Sequence, residues 1–273
     1  MRDTEGYDAA DNSRGCYELA IATLRERLEA FRCERIGPHR LYLGDCRTIL
    51  PLLGRVDAVV TDPPYGISYV TSHRNVADTP AMLANDDVAP VDTVGMMSSL
   101  LINAGAFYLC TRFDVAEMWR QAMAQSGITL KTPIVWDKTN HTAGDLEGDY
   151  GCQTELVLFG AKGRHLLRGG RDVNLWRIPR PTFGNHPTPK PVGLMARAIR
   201  NSTDAGGVVL DAFMGEGPTG VACAKLGRRF VGIEMDAAYF ETACRRVEEA
   251  HRQPDMFIEA PPKAEQLSLL GEG

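Results

Sequence analysis

A chain of 273 residues, 44% hydrophobic and 24% charged, has the composition of one large globular domain and can bury a sizeable core. No apolar run approaches the ~20 residues of a membrane span, and the polar, acidic residues 1–15 hold no signal core. A cytoplasmic protein is therefore expected. A net charge of −5 and a pI near 5.7 exclude a surface that is basic all over, though not a local basic patch.

Residues 1–15 read as a flexible N-terminus. "CYELAIATLRERLEAFRCER" has apolar residues at helical spacing. "HRLYLGD" reads as a strand ending at Gly44–Asp45, and "CRTILPLL" as a short helix. "VDAVVTD" is a continuous apolar strand of the kind found inside a parallel sheet covered on both faces. Two prolines then stop it, since proline gives no N–H to the ladder, and leave "TDPPYG" at its tip. Ile67 to Pro90 is long and irregular, and such loops are usually functional. "VDTVGMMSSLLINAG" reads as a helix, "AFYLC" as a strand, "DVAEMWRQAMAQSG" as a helix and "TLKTPIVWDK" as a strand. "GCQTELVLFGAK" is a strand expected to run antiparallel. Lys162 to Arg180, "KGRHLLRGGRDVNLWRIPR", is the clearest basic island; on its own it reads as a solvated hairpin. A helix ("PVGLMARAIRNST"), a strand ("GGVVLDAF"), a helix ("PTGVACAKLG"), a strand ("RRFVGIEMD") and a last helix ("AAYFETACRRVEEAHR") follow. The tail, 253–273, is expected to be flexible.

Strands alternating with helices predict an α/β fold, a doubly wound and mostly parallel sheet with one antiparallel strand, in a single domain over residues 16–252. Ligands of such sheets bind beyond the carboxyl ends of the strands. Asp45, Asp62 and Asp211 end three strands there, and Glu234 lies near the end of a fourth. Carboxylates gathered at one edge suggest a site. The seven cysteines are odd in number and include no C-x-x-C pair, so neither a disulfide framework nor a metal site is expected. Cys46, Cys110 and Cys223 read as core fillers.

"VVLDAFMGEGPTGVACAKLG" runs strand, Gly215-x-Gly217, helix. Its glycines let a ligand approach the backbone, and the helix start offers free N–H groups. Glu234, at the end of the next strand, is spaced to grip ribose hydroxyls. "GEGPTG" also fits G-x-G-x-x-G, so a dinucleotide reading stays open. Glu216 stands against it, an acid where a pyrophosphate would lie. A sulfonium cofactor without phosphate tolerates that acid better.

"TDPPYG", "HPTPKPVGLMARAI", "VVLDAFMGEGPTGVA" and "RRFVGIEMD" together resemble the amino-methyltransferases of DNA, which make N6-methyladenine or N4-methylcytosine. The order of the motifs is similar to that of their β group. The resemblance spans about Arg40 to Arg246. It implies a Rossmann-like methyltransferase fold, S-adenosyl-L-methionine as cofactor, and double-stranded DNA as substrate with the target base flipped out. It suggests a bacterial or phage-encoded restriction-modification setting and leaves a homodimer open.

Chemistry gives D-P-P-Y a reason of its own. An exocyclic amine is a weak nucleophile because its lone pair is delocalised into the ring. Asp62 and the Pro63 carbonyl can accept its two hydrogens, Pro64 stiffens the turn, and Tyr65 offers a stacking face. The bland alternatives are a helix cap for Asp62 and a packed turn for Tyr65. The resemblance also implies that Asp45 and Cys46 meet the cofactor adenine, that His186 and Lys190 lie at its methionine end, and that Asp211, Phe213, Met214, Gly215, Gly217 and Glu234 complete its site. The family's loop usually reads D-P-F-x-G-S-G-T-T. Ala212, Glu216 and Pro218 depart from it, and Glu216 could either meet the cofactor's amino group or repel its carboxylate.

In this family D-P-P-Y favours adenine, with N4-cytosine or a catalytically impaired DNA-binding relative as alternatives. Target recognition is expected in a small insertion at about 162–185. Arg164, Arg168, Arg171 and Arg177 there, with His73, Arg74 and Lys138 elsewhere, are the expected DNA contacts.

Overall fold

The computed structural model describes residues 22–24, 26–65, 89–141, 147–148, 150–180 and 190–253. The expectations for the N-terminus, for His73, Arg74, His186 and for nearly all of the tail lie outside the described residues. Among the described residues ten strands form one sheet: β1 (Arg32–Ile36), β2 (His39–Leu43), β3 (Val56–Thr61), β4 (Leu101–Thr111), β5 (Thr129–Leu130), β6 (Ile134–Asp137), β7 (Thr154–Ala161), β8 (Leu175–Arg177), β9 (Val208–Asp211) and β10 (Arg229–Glu234). Their order is β1-β2-β10-β9-β3-β4-β7-β6-β8, with β5 on β7. The expected reversed strand is β7, antiparallel to β4 and β6. β1 is reversed as well, folding back on β2 through the turn at Gly37.

Helices cover both faces. α1 (Cys46–Ile49), α2 (Thr93–Leu100) and α3 (Ala116–Gln125) lie on one side, where Ile49, Met97, Trp119 and Met123 pack on Val59, Phe107 and Leu109. α4 (Val192–Ser202), α5 (Pro218–Lys225) and α6 (Ala237–Arg252) lie on the other, where Ile199, Val221, Phe240 and Val247 meet Val60, Tyr108 and Val209. Val59 and Val60 thus point into different cores, which is why β3 is an unbroken apolar run rather than an alternating one. Cys46, Cys110 and Cys223 are buried.

Three elements differ from the sequence expectation. "RCER" leaves the helix and becomes part of β1, whose five residues all pair with β2. "LINAG" belongs to β4 rather than to α2, because the strand already pairs with β3 at Leu101. "TLKTPIVWDK" splits into β5 and β6 around Pro133; proline cannot donate to a ladder.

The order of the sheet fixes where a ligand can bind. β9 continues through α5 to β10 on one side, and β3 continues through α2 to β4 on the other. The chain therefore departs in opposite directions from the neighbours β9 and β3. A crevice opens beyond their carboxyl ends at such a switch point. Gly220 holds one wall close, since a Cβ there would lie 2.7 Å from Val247 Cγ2 and 2.8 Å from Phe230 Cε1.

Candidate active site

Thr61 ends β3 and Asp211 ends β9, and the two meet across the switch point. Thr61 Oγ1 donates to Asp211 Oδ1 (2.7 Å), and Thr219 Oγ1, in the first turn of α5, donates to Oδ2 (2.6 Å). The Phe213 N–H also donates to Oδ1, at 3.1 Å. Asp211 is 2% exposed. Burial pushes its pKa up to about 6, against the pull of the Thr219 and Thr61 hydroxyls and the Phe213 amide. Both of its oxygens are occupied by the protein. It therefore ties the glycine loop to the D-P-P-Y strand.

Asp62 follows Thr61 and sits at the tip of β3. Tyr65 Oη donates to Asp62 Oδ1 (2.9 Å), and Lys190 Nζ lies 3.0 Å from Asp62 Oδ2. Lys190 also donates to Tyr65 Oη (3.0 Å). The sequence placed Lys190 against the cofactor. In the structure it enters from the start of α4, buried to 7% exposure, and serves the carboxylate of the D-P-P-Y turn. Behind it stands Glu155 of β7. Its Oε2 lies 3.2 Å from Lys190 Nζ, as a charge contact without an aligned hydrogen bond. Its Oε1 accepts from Lys138 Nζ at 3.3 Å.

Two ammonium groups and two carboxylates thus share one half-dry cluster. Burial disfavours the Lys190 cation, but Asp62, Tyr65 and Glu155 outweigh it and lift its pKa well above the ordinary lysine value. Burial likewise disfavours ionised Glu155, yet Lys190 and Lys138 hold its pKa below the usual value. Tyr65 is pushed well above its ordinary pKa by burial and by Asp62. Lys190 therefore stays an ammonium and Tyr65 a phenol at neutral pH. Trp136 is core: its Nε1–H donates to the Ile178 carbonyl (2.7 Å), and its ring lies 6.0 Å from Lys190 Nζ.

The glycine loop lies beside this cluster. Gly215 and Gly217 have φ of 51° and 75°, and a Cβ on Gly215 would meet nothing within 4 Å. The backbone is therefore open to close approach at Gly215. Met214 is buried and its N–H donates to the Ile233 carbonyl, while Phe213 is half-buried. Glu234 Oε2 accepts the Gly215 N–H (2.9 Å), and Oε1 accepts the N–H groups of Met235 and Asp236. Burial raises its pKa against those three amides. Asp45 caps α1, accepting from the Arg47 N–H, while Gly44 N–H donates to the Glu234 carbonyl. Asp45 and Glu234 therefore border one crevice. Cys46 is buried, its thiol pushed up to about 12 by burial and by Asp45, so only its backbone is available there. Glu216 is taken by the protein: Arg246 Nη1 of α6 donates to its carbonyl (2.8 Å) and to its Oε2 (3.3 Å). The acid that departs from the family loop thus has its own counter-ion.

The basic island divides. β7 runs away from the Asp62 edge, and its end, Ala161, pairs with Ala106 at the start of the β4 core. Lys162 onward therefore lies at the opposite edge of the sheet. Arg168 pairs there with Asp204 (2.9 Å), and its backbone N–H bonds to Asn201 at the end of α4. Arg164 precedes it in the same stretch and is also exposed. Arg171 is exposed next to Asp172, which Arg197 and Asn201 hold against the later turns of α4. The chain then returns along β8, parallel to β6, and brings Arg177 beside Asp137 on the Asp62 side. Lys138 is 2% exposed and bound to Glu155, so it does not meet a phosphate. Sequence reasoning missed Thr61, Glu155 and Arg246, whose roles exist only through long-range pairs. Among the described residues no group of His, Cys, Asp and Glu is placed to hold a metal ion, and no helix is long and apolar enough to cross a membrane.

Comparison with known proteins finds DNA methylases. Residues 168–245 match the N6_N4_Mtase family model, described as DNA methylase. The type II methyltransferase M2.MboI of Moraxella bovis is 24% identical over 238 residues, 77% of this chain and 87% of that protein. M2.DpnII of Streptococcus pneumoniae is 35% identical over 146 residues, 46% of this chain and 54% of that one. The crystal structure of the M1.HpyAVI–SAM complex superposes with a TM-score of 0.62 at 25% identity, over 76% of this chain and 98% of that one. The cytosine-N4-specific PvuII DNA methyltransferase shares the fold, with a TM-score of 0.61 at 16% identity over 78% and 91%.

Proposed function

We propose that this member of the N6/N4 DNA methylase family transfers the methyl group of S-adenosyl-L-methionine to the exocyclic N6 of adenine in double-stranded DNA. The observation that carries the reading is the junction at Asp211, which sets an aimed carboxylate, Asp62, directly beside an open glycine loop. The chain's residues suit that cofactor. Gly215 offers open backbone, Glu234 and Asp45 line the crevice for ribose and adenine, and Arg246 neutralises Glu216, an acid of the loop that would otherwise repel a carboxylate. When bound, the cofactor supplies a methyl group on a positively charged sulfur.

The protein's part is to make the amine nucleophilic and to aim it. Asp62 and the Pro63 carbonyl accept the two amine hydrogens, which localises the nitrogen lone pair. Pro64 fixes the turn, and Tyr65, held by its hydroxyl, presents a stacking surface to a base taken out of the helix. Lys190 sets the position of Asp62 and Tyr65 together. Catalysis then rests on positioning and preorganised charge. Arg177, on the Asp62 side of the sheet, is placed to hold a phosphate near this mouth.

The test is incubation of the protein with labelled S-adenosylmethionine and unmethylated genomic DNA, followed by nucleoside mass spectrometry. N6-methyladenine is expected. N4-methylcytosine would correct the base, and no incorporation would leave a DNA-binding relative. Asp62→Ala should abolish transfer while cofactor still binds; undiminished transfer would remove Asp62 from the chemistry.

A further inference from the structure

Both oxygens of Asp62 are already engaged, Oδ1 by the Tyr65 hydroxyl at 2.9 Å and Oδ2 by the Lys190 ammonium at 3.0 Å. A carboxylate that must take a hydrogen from an arriving amine is thus covered by a cation. The same ammonium lies 3.2 Å from a second carboxylate, Glu155 Oε2, whose other oxygen is held by Lys138. Glu155 comes from β7, on the side of the sheet away from the glycine loop, where β3 is followed by β4 and β7. Its ion-pair partners are Lys190 and Lys138, neither of them on the glycine loop.

We infer that Glu155 is a positioning residue that receives the Lys190 ammonium when the target amine reaches Asp62. Resting on the methyltransferase reading, the sequence of events is a change of partners with no bond made or broken. The amine N–H approaches Asp62 Oδ2, and Lys190 shifts its weight to Glu155 Oε2. Asp62 regains the negative charge that localises the amine lone pair. The two carboxylates and two ammonium groups sum to zero charge. A reaction that moves positive charge from sulfur to nitrogen is opposed by an uncompensated cation beside the nitrogen. Without the Glu155 charge, Lys190 has only Asp62 as counter-ion, and the cluster carries an uncompensated cation. Lys138 keeps Glu155 ionised and fixed, so the receiving carboxylate is ready before the base arrives.

The experiment is single-turnover methyl transfer to unmethylated genomic DNA by wild type, Glu155→Gln and Glu155→Asp, with cofactor affinity measured by calorimetry for each. Glu155→Gln keeps the shape and removes the charge. Its transfer rate is expected to fall at least about tenfold, the effect of one unbalanced charge several ångströms away at a protein-like dielectric. Cofactor affinity should stay within about twofold, since transfer, not cofactor binding, needs the exchange. Glu155→Asp, which keeps the charge, should recover most of the rate. Wild-type rate in Glu155→Gln, equal loss in both variants, or loss of cofactor binding would each overturn the inference. Absence of transfer by the wild-type chain would instead remove the methyltransferase reading, and this inference with it.

Discussion

Asp211→Asn isolates the carboxylate at the junction. In the wild type, burial lifts the Asp211 pKa to about 6 from an ordinary 3.8. The folded state therefore binds a proton more tightly than the unfolded one. Its stabilising contribution is full below the unfolded pKa and is lost as the pH rises through about 6. A shift of about two units at ~1.4 kcal/mol each gives about 3 kcal/mol across that window. Asparagine cannot titrate. Its carbonyl can still accept from Thr61 and Phe213, and Thr219 can turn its hydroxyl to accept from the amide. Urea unfolding of both proteins from pH 4 to pH 7.5 measures the difference directly. The stability of Asp211→Asn relative to wild type should rise with pH, by up to about 3 kcal/mol, with most of the change between pH 4 and 6. Parallel pH curves would show that Asp211 is not held in the environment described, and the reasoning would fail.

Other consequences can be checked separately. Thr61→Val removes a short bond to a buried carboxylate and should lower stability by about 1.5–3 kcal/mol, read by denaturant midpoint, with Thr61→Ser restoring it. Arg246→Met leaves Glu216 without its counter-ion and should weaken S-adenosylmethionine binding by about tenfold; Arg246→Met with Glu216→Gln should recover it in calorimetry. Arg177→Ala should lower DNA affinity and flatten the salt dependence by about one unit of slope, while Arg168→Ala at the opposite edge leaves both unchanged in fluorescence anisotropy. Gly220→Ala pushes a methyl into Val247 and Phe230 and should destabilise by about 1–3 kcal/mol.

How much of this could be read from the chain depends on whether a feature is local. The D-P-P-Y turn and the glycine loop were legible because their chemistry sits in a few consecutive residues, and the α/β alternation because each element carries its own period. Thr61 looked like any strand threonine, and its partner is 150 residues away. Glu155 looked like an ordinary polar position at the start of a strand until Lys138 and Lys190 closed on it. The island from Lys162 to Arg180 looked like one patch because charge is counted along the chain, whereas the reversal at the end of β7 sends its two halves to opposite edges. "RCER" reads as helix because it continues a stretch with apolar residues at helical spacing, and only pairing with β2 makes it a strand. The role of Glu216 was undecidable from the loop alone, since Arg246 reaches it from a different helix.

The Thr61–Asp211–Thr219 junction is indifferent to the direction in which the polypeptide was threaded. Three side chains hold the halves of the site together through space, and no covalent connection between those halves takes part. A chain that visited the glycine loop first and the D-P-P-Y strand last could build the same junction from the same contacts, with only its connecting loops rerouted. The geometry of the junction is therefore a property of neighbouring strands, and the order of its segments along the chain is free to change around it.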